Sequence, residues 1–125
     1  MSSTNLQLAK LSYTDLTQAI LIKSDLSSAD LSGSTMVNTN LNRARLHSTN
    51  LSGANLSGAN LSNVITMFAA NLHKTNLSNA DMSGVEMTGV RLETAIITGT
   101  IFRNNKNLSD DLKRDMERRG AIIAD

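Results

Sequence analysis

Large apolar residues recur at every fifth position: Leu6, Leu11, Leu16, Leu21, Leu26, Leu31, Met36, Leu41, Leu46, Leu51, Leu56 and Leu61 run without a break. After one inserted residue the series resumes at Met67, Leu72, Leu77, Met82, Met87, Leu92, Ile97 and Phe102. This spacing excludes the two commonest ways of burying an apolar stripe. On an α-helix five residues advance about 500°, so the series would be scattered around the cylinder. On a straight strand side chains alternate faces, so an odd period would send every other leucine to solvent. What survives is a short extended segment with its large residue inward, followed by a tight turn that resets the parity. The chain must coil around its own leucines.

The other places in each five follow from that. Two residues before the centre stand Ala9, Ala19, Ala29, Ala44, Ala54, Ala59, Ala70, Ala80 and Ala95, with Ser or Thr at most other sites, so a second, smaller inward column is expected. Gly33, Gly53, Gly58, Gly84, Gly89 and Gly99 lie two after a centre, the third turn position, where a type II turn requires positive φ. Asn or Asp before the leucine and Ser after it are left outward. Repetition has to fill the core, because Tyr13, Phe68 and Phe102 are the only aromatics and Trp, Pro and Cys are absent. Met36, Met67, Met82 and Met87 fall in the inward frame as flexible filler.

The frame Ala-(Asp/Asn)-Leu-x-x, seen as Ala29-Asp30-Leu31, Ala54-Asn55-Leu56, Ala59-Asn60-Leu61, Ala70-Asn71-Leu72 and Ala80-Asp81-Met82, resembles the pentapeptide-repeat family over about four fifths of the chain. The resemblance implies an all-β fold, a right-handed quadrilateral parallel β-helix with four repeats to a coil and about five coils over residues 1–104. At the usual strand spacing that is a rod roughly 20–25 Å long. Interior columns would be Leu11, Leu31, Leu51, Leu72 and Leu92, and Leu21, Leu41, Leu61, Met82 and Phe102.

Residues 105–125 follow a different grammar. Ser109 is placed to cap a short helix, Asp110 and Asp111 lie in its first turn, Arg118 and Arg119 in its last, and Gly120 ends it. Leu108, Leu112 and Met116 form one narrow apolar stripe, so the tail reads as a helical cap over the last coil, with Ile122 and Ile123 tucked down after the glycine.

Chemistry is sparse. His47 and His73 fall on different faces with no acidic partner in register, which predicts surface histidines and neither a general base nor a metal ligand. The serines follow leucines by rule, and the Asn-x-Ser sequons at Asn50, Asn55, Asn60, Asn76 and Asn107 are by-products of the repeat, with no glycosylation expected. No catalytic, cofactor or metal residue is assigned, and the expectation is a non-enzymatic scaffold or protein-interaction module of unknown partner.

The family resemblance supplies an alternative, since some members resemble duplex DNA and bind DNA gyrase. Residues 1–104 carry Asp15, Asp25, Asp30, Asp81, Glu86 and Glu93 against Lys10, Lys23, Arg43, Arg45, Lys74, Arg91 and Arg103. A DNA mimic needs sustained negative charge, and this balance disfavours it. Tail and composition look similar to short cyanobacterial members of the family.

Candidate partner contacts lie where the repeat breaks. Ile20 and Ile22 stand outward on the least faithful coil, Ile96 and Ile101 near the far end, and Phe68 beside the inserted residue. Ser62 to Ala69 is the one interior irregularity of the frame; it makes Met67 inward and Phe68 outward, though a one-residue shift would exchange them. A homodimer through an end coil or apolar patch is one expectation, since an uncapped coil offers unpaired backbone. Neither nucleic acid nor membrane is expected, given a net charge of +1 and no apolar run of spanning length. The first residues lack a basic and apolar leader and cysteine is absent, so a cytoplasmic protein is expected, although a trimmed form from another compartment would read the same.

Overall fold

A computed structural model describes residues 3–124. Single-residue parallel pairings join positions twenty apart, such as Asp30 with Asn50 and Asn40 with Asn60, so four five-residue sides close one coil. Each side is tied to its neighbours by a repeated set of backbone bonds. The Leu31 amide donates to the Asn50 carbonyl (2.8 Å), the Gly33 amide to Ser52 (2.9 Å) and the Asp30 amide back to Ala9 (2.9 Å). The corner closes locally, as where the Ala29 amide donates to the Leu26 carbonyl at 3.0 Å. The sides are too short to be ordinary strands. Continuous pairing occurs only between β1 (Ile101–Arg103) and β2 (Ile122–Ala124).

The corners explain how an odd period works. The residue two after every centre but Leu92 has positive φ, at glycines such as Gly53 (+68°) but also at Leu8 (+63°), Tyr13 (+58°) and Ala69 (+64°). Left-handed backbone costs a residue with a Cβ about 1–2 kcal/mol, so the inter-coil bonds must hold these corners closed. Between coils three and four the pairing interval widens to twenty-one residues, as in Arg45 with Thr66 and Asn55 with Asn76. The inserted residue is absorbed at the corner around Val64 and Ile65, with Met67 buried and Phe68 half exposed.

Inside, Leu21, Leu41, Leu61, Met82 and Phe102 form one fully buried column, while Leu6, Leu11 and Leu16 at the first coil are only partly covered. The small column is not merely filler. Thr39, Thr49, Thr75 and Thr100 are fully buried and donate to the carbonyls of Leu16, Leu26, Leu51 and Leu77 in the coil before (2.6–2.8 Å). Each threonine therefore satisfies its own hydroxyl and staples two coils.

The tail closes the far end. Helix α1 (Asp110–Arg118) begins at Ser109, whose hydroxyl accepts the Leu112 amide at 3.1 Å, and it buries Met116 completely. Several carbonyls toward this end receive side-chain donors from the tail. Asn105 Nδ2 donates to Met82 and Val85 (2.8 and 2.9 Å), and the Arg119 guanidinium to Leu92 and Ala95. After Gly120, at φ +92°, the chain does not tuck both isoleucines inward. It adds a strand: Ile122 pairs with Ile101 and Ile123 with Phe102, leaving Ile122 exposed and Ile123 half buried. The alternation of a strand places only one of two successive residues toward the core.

Thr49→Val keeps the shape and removes the staple to Leu26. It should lower stability by about 1 kcal/mol, seen as a lower urea midpoint at unchanged m value.

Candidate interaction surfaces and an opened ladder

Repeated Asn and Asp side chains dominate the outer walls, and they are already occupied. Asn55 Oδ1 accepts the Ser57 amide (3.0 Å) and hydroxyl (2.6 Å), and the same arrangement recurs at Asp30 with Ser32, Asn50 with Ser52, Asn60 with Ser62 and Asn76 with Ser78. This is an Asx turn, in which a short polar side chain replaces a backbone acceptor at the corner. The phrase Asn-Leu-Ser, which the sequence left facing outward, is spent largely on its own corner. Where the acceptor is a carboxylate the same bonds favour its charged form. The Thr17 hydroxyl and amide hold Asp15 below the ordinary carboxylate range, and those of Ser27 and Ser32 do so for Asp25 and Asp30.

Exposed apolar residues fall into separate places. Ile20 and half-buried Ile22 stand on the first coil. Phe68 is half exposed one side further along from the insertion and stacks on His47 of the coil above, ring centroids 5.9 Å apart and planes 24° apart. Ile96 and Ile122 are about half exposed and half-buried Ile101 pairs with Ile122, so the last coil gathers three isoleucines where the sequence singled out two. The period alone could not show that β2 would bring Ile122 back beside Ile101. His73 lies on the next side from His47, exposed, with Nδ1 2.9 Å from the Thr94 hydroxyl.

The frame has a second irregularity, where no residue is inserted. Along two sides the ladder between coils four and five is open. The amides of Met67, Ala69 and Leu72 lack the acceptors that their counterparts find in the coil below, and Glu86 and Arg91 lack the upward bonds made by Asp81 and Ile96. The corner at Thr94 differs from the rest: alone among these corner residues it has no positive φ, as expected for a β-branched side chain. Its hydroxyl instead accepts the Lys74 amide at 3.2 Å, in place of the Glu93 carbonyl that the regular pattern would present. Val85 and Val90, bulkier than the alanine usual at their places, add volume to the same coil. Between the parted coils lies a cleft of about 390 Å³, lined by Ala69, Leu72, His73, Arg91, Glu93 and Thr94 among others. The five-residue period did not reveal it; Thr94, Val85 and Val90 are the departures from the repeat that could have done so.

The family model for pentapeptide repeats matches residues 1–36, 24–63 and 67–104, in eight copies. The chain belongs to the pentapeptide-repeat family. Proteins of this family form right-handed quadrilateral β-helices. Among solved structures it is similar to the pentapeptide-repeat protein Rfr23 of the cyanobacterium Cyanothece 51142, with 30% identity and a TM-score of 0.52 over 84% of this chain. It spans 58% of that protein's length. Similarity of fold extends to alr5209 from Nostoc Pcc 7120, at 23% identity, TM-score 0.50, and 98% and 82% of the two chains. It extends also to QnrB1, a plasmid-mediated fluoroquinolone resistance protein, at 20% identity, TM-score 0.57, and 93% and 67% coverage. No curated protein matches the chain. Among the described residues no helix is long and apolar enough to cross a membrane.

The same turn chemistry recurs at Asp15, Asp25 and Asp30, which stand on three different sides of the rod. The depressed carboxylates of Asp15, Asp25 and Asp30 stabilise the fold in full above the unfolded value of about 4, and that contribution is lost as pH falls through their lower folded values. Melting temperature should therefore drop as pH falls below about 4, and the triple variant Asp15→Asn, Asp25→Asn, Asp30→Asn, which keeps the turn chemistry, should show a flatter profile.

Proposed function

We propose that this pentapeptide-repeat protein is a non-catalytic scaffold that binds another protein through the apolar breaks in its walls. The observation that carries this reading is the contrast between wall and break. Repeated Asn, Asp and Ser side chains satisfy one another within their corners, so a partner displacing water from them gains little. Phe68, Ile96 and Ile122 stand about half exposed on a rigid frame, and covering them is where association gains free energy. Ile20 and Ile22 on the first coil offer a further contact, for which a second copy of the chain is the partner we infer. The functional unit in this reading is a rod of five coils over 1–104 closed by the cap 105–125, working in a reducing compartment such as the cytoplasm. The DNA-mimicking reading has the near-even charge of residues 1–104 against it, and QnrB1 shares with this chain only the fold.

Immobilised wild-type protein should retain a defined partner from extracts of the source organism, and the double variant Ile96→Asp, Ile122→Asp should lose it with its melting curve intact. Equal retention by both proteins would refute the apolar-break reading. Light scattering after gel filtration tests self-association separately: a dimer dissociated by Ile20→Asp is expected, and a monomer at high concentration ends that part. Inhibition of gyrase supercoiling would restore the DNA-mimic reading. Removing 106–125 should cause aggregation by uncovering the last coil, and a soluble, folded truncation would contradict the cap.

A further inference from the structure

The opened ladder leaves a cleft with a few polar groups among apolar ones, in a molecule whose other described coils are bonded along every side. Its upper wall contributes the amides of Ala69 and Leu72, which lack acceptors. Amides at the same places in the coil above, Ser48 and Leu51, donate toward the coil below (3.0 and 2.9 Å), so these two are oriented into the gap. On the lower wall stands Arg91, whose guanidinium has no hydrogen-bond or ion-pair partner among the described residues. His73 and Asn71 complete the polar lining, and Glu93 is the one acidic side chain in it.

Both ends of the cleft are obstructed. At one, the Phe68 ring lies over Gly89, 3.7 Å from where a Cβ would stand. At the other, the Thr94 hydroxyl bridges the coils, in contact with the Lys74 amide (3.2 Å) and His73 Nδ1 (2.9 Å). An extended strand threaded between the coils would have to displace both closures, so the occupant is small. Two amides without acceptors and a guanidinium without a partner, all lining one cleft, are a donor set for a carboxylate, which accepts several charge-assisted bonds at once. We propose that the cleft between coils four and five is a binding site for a small organic carboxylate, held by the amides of Ala69 and Leu72 and by the Arg91 side chain. Glu93 sets its selectivity: it repels a second negative charge and accepts from a hydroxyl or ammonium on the same ligand. The site does not depend on the protein-binding reading, since it uses a different surface from Ile96 and Ile122.

Amide-resolved NMR tests it directly on the full chain, with sodium acetate as the probe and sodium chloride at matched ionic strength as the control. Acetate should shift the Ala69 and Leu72 amides saturably, with a dissociation constant in roughly the millimolar range, and leave Leu31 and Leu51 of the same column unmoved. Arg91→Ala, a change at an exposed side chain, should weaken binding about tenfold while leaving the melting temperature unchanged. Thr94→Gly permits the regular corner, so it should close the cleft, slow hydrogen exchange at Leu72 and Lys74, and abolish the acetate response. Linear, unsaturable shifts, shifts that chloride reproduces, or binding unaffected by Arg91→Ala would overturn the site. So would a Leu72 amide as protected from exchange as Leu51 in the unliganded protein.

Discussion

Everything in this fold hangs on the corner, where the residue two after each leucine enters the left-handed region and reverses the direction of the chain. That conformation orients the preceding carbonyl along the rod axis, where it accepts an amide from the coil above. The Ser52 carbonyl receives the Gly33 amide in this way, and the Ser57 carbonyl that of Asn38. Residues with a Cβ tolerate the strain because each corner is held by bonds above and below. Thr94 shows the dependence by exception. Without positive φ the peptide between Glu93 and Thr94 is oriented differently, the Glu93 carbonyl no longer meets Lys74, and the ladder opens along that side.

A structure built this way consumes its own polar groups. Buried threonine hydroxyls are directed to carbonyls of the neighbouring coil, and surface Asn, Asp and Ser are paired within their turns. What remains for recognition is whatever falls outside the repeat, a small set of apolar side chains and the cleft between coils four and five. The walls are stiff because they are self-satisfied, and for the same reason they have little to offer a ligand.

The two ends of the rod are handled differently. Toward the far end, Asn105 and Arg119 reach the carbonyls of Val85 and Ala95, for which no backbone donor is seen, Met116 is buried in the core, and β2 extends the pairing by one more short strand. At the first described coil, Leu6, Leu11 and Leu16 are only partly covered, so the apolar column thins toward that end. The Asn105 side chain is fully used on one side, yet its Oδ1 is buried without a partner, which is the one such atom among the described residues.

Sequence by itself determined the coil, the inward columns, the positive-φ corners and the helix after Ser109. Each of these follows from a local rule applied at fixed spacing: period, side-chain size, turn conformation and capping chemistry. The inserted residue near Val64 was equally legible, and the frame favoured Met67 over Phe68 for the interior, as the structure has it. Tertiary structure alone decided three things. Asn and Ser paired with each other because the corner brought them within 3 Å, a distance that no spacing rule supplies. Ile122 joined Ile101 because the chain reversed through α1 and returned in register with β1. The cleft opened because one threonine's backbone preference and two valines' volume acted on the same pair of coils, a sum of small strains that becomes visible only when the coils are stacked.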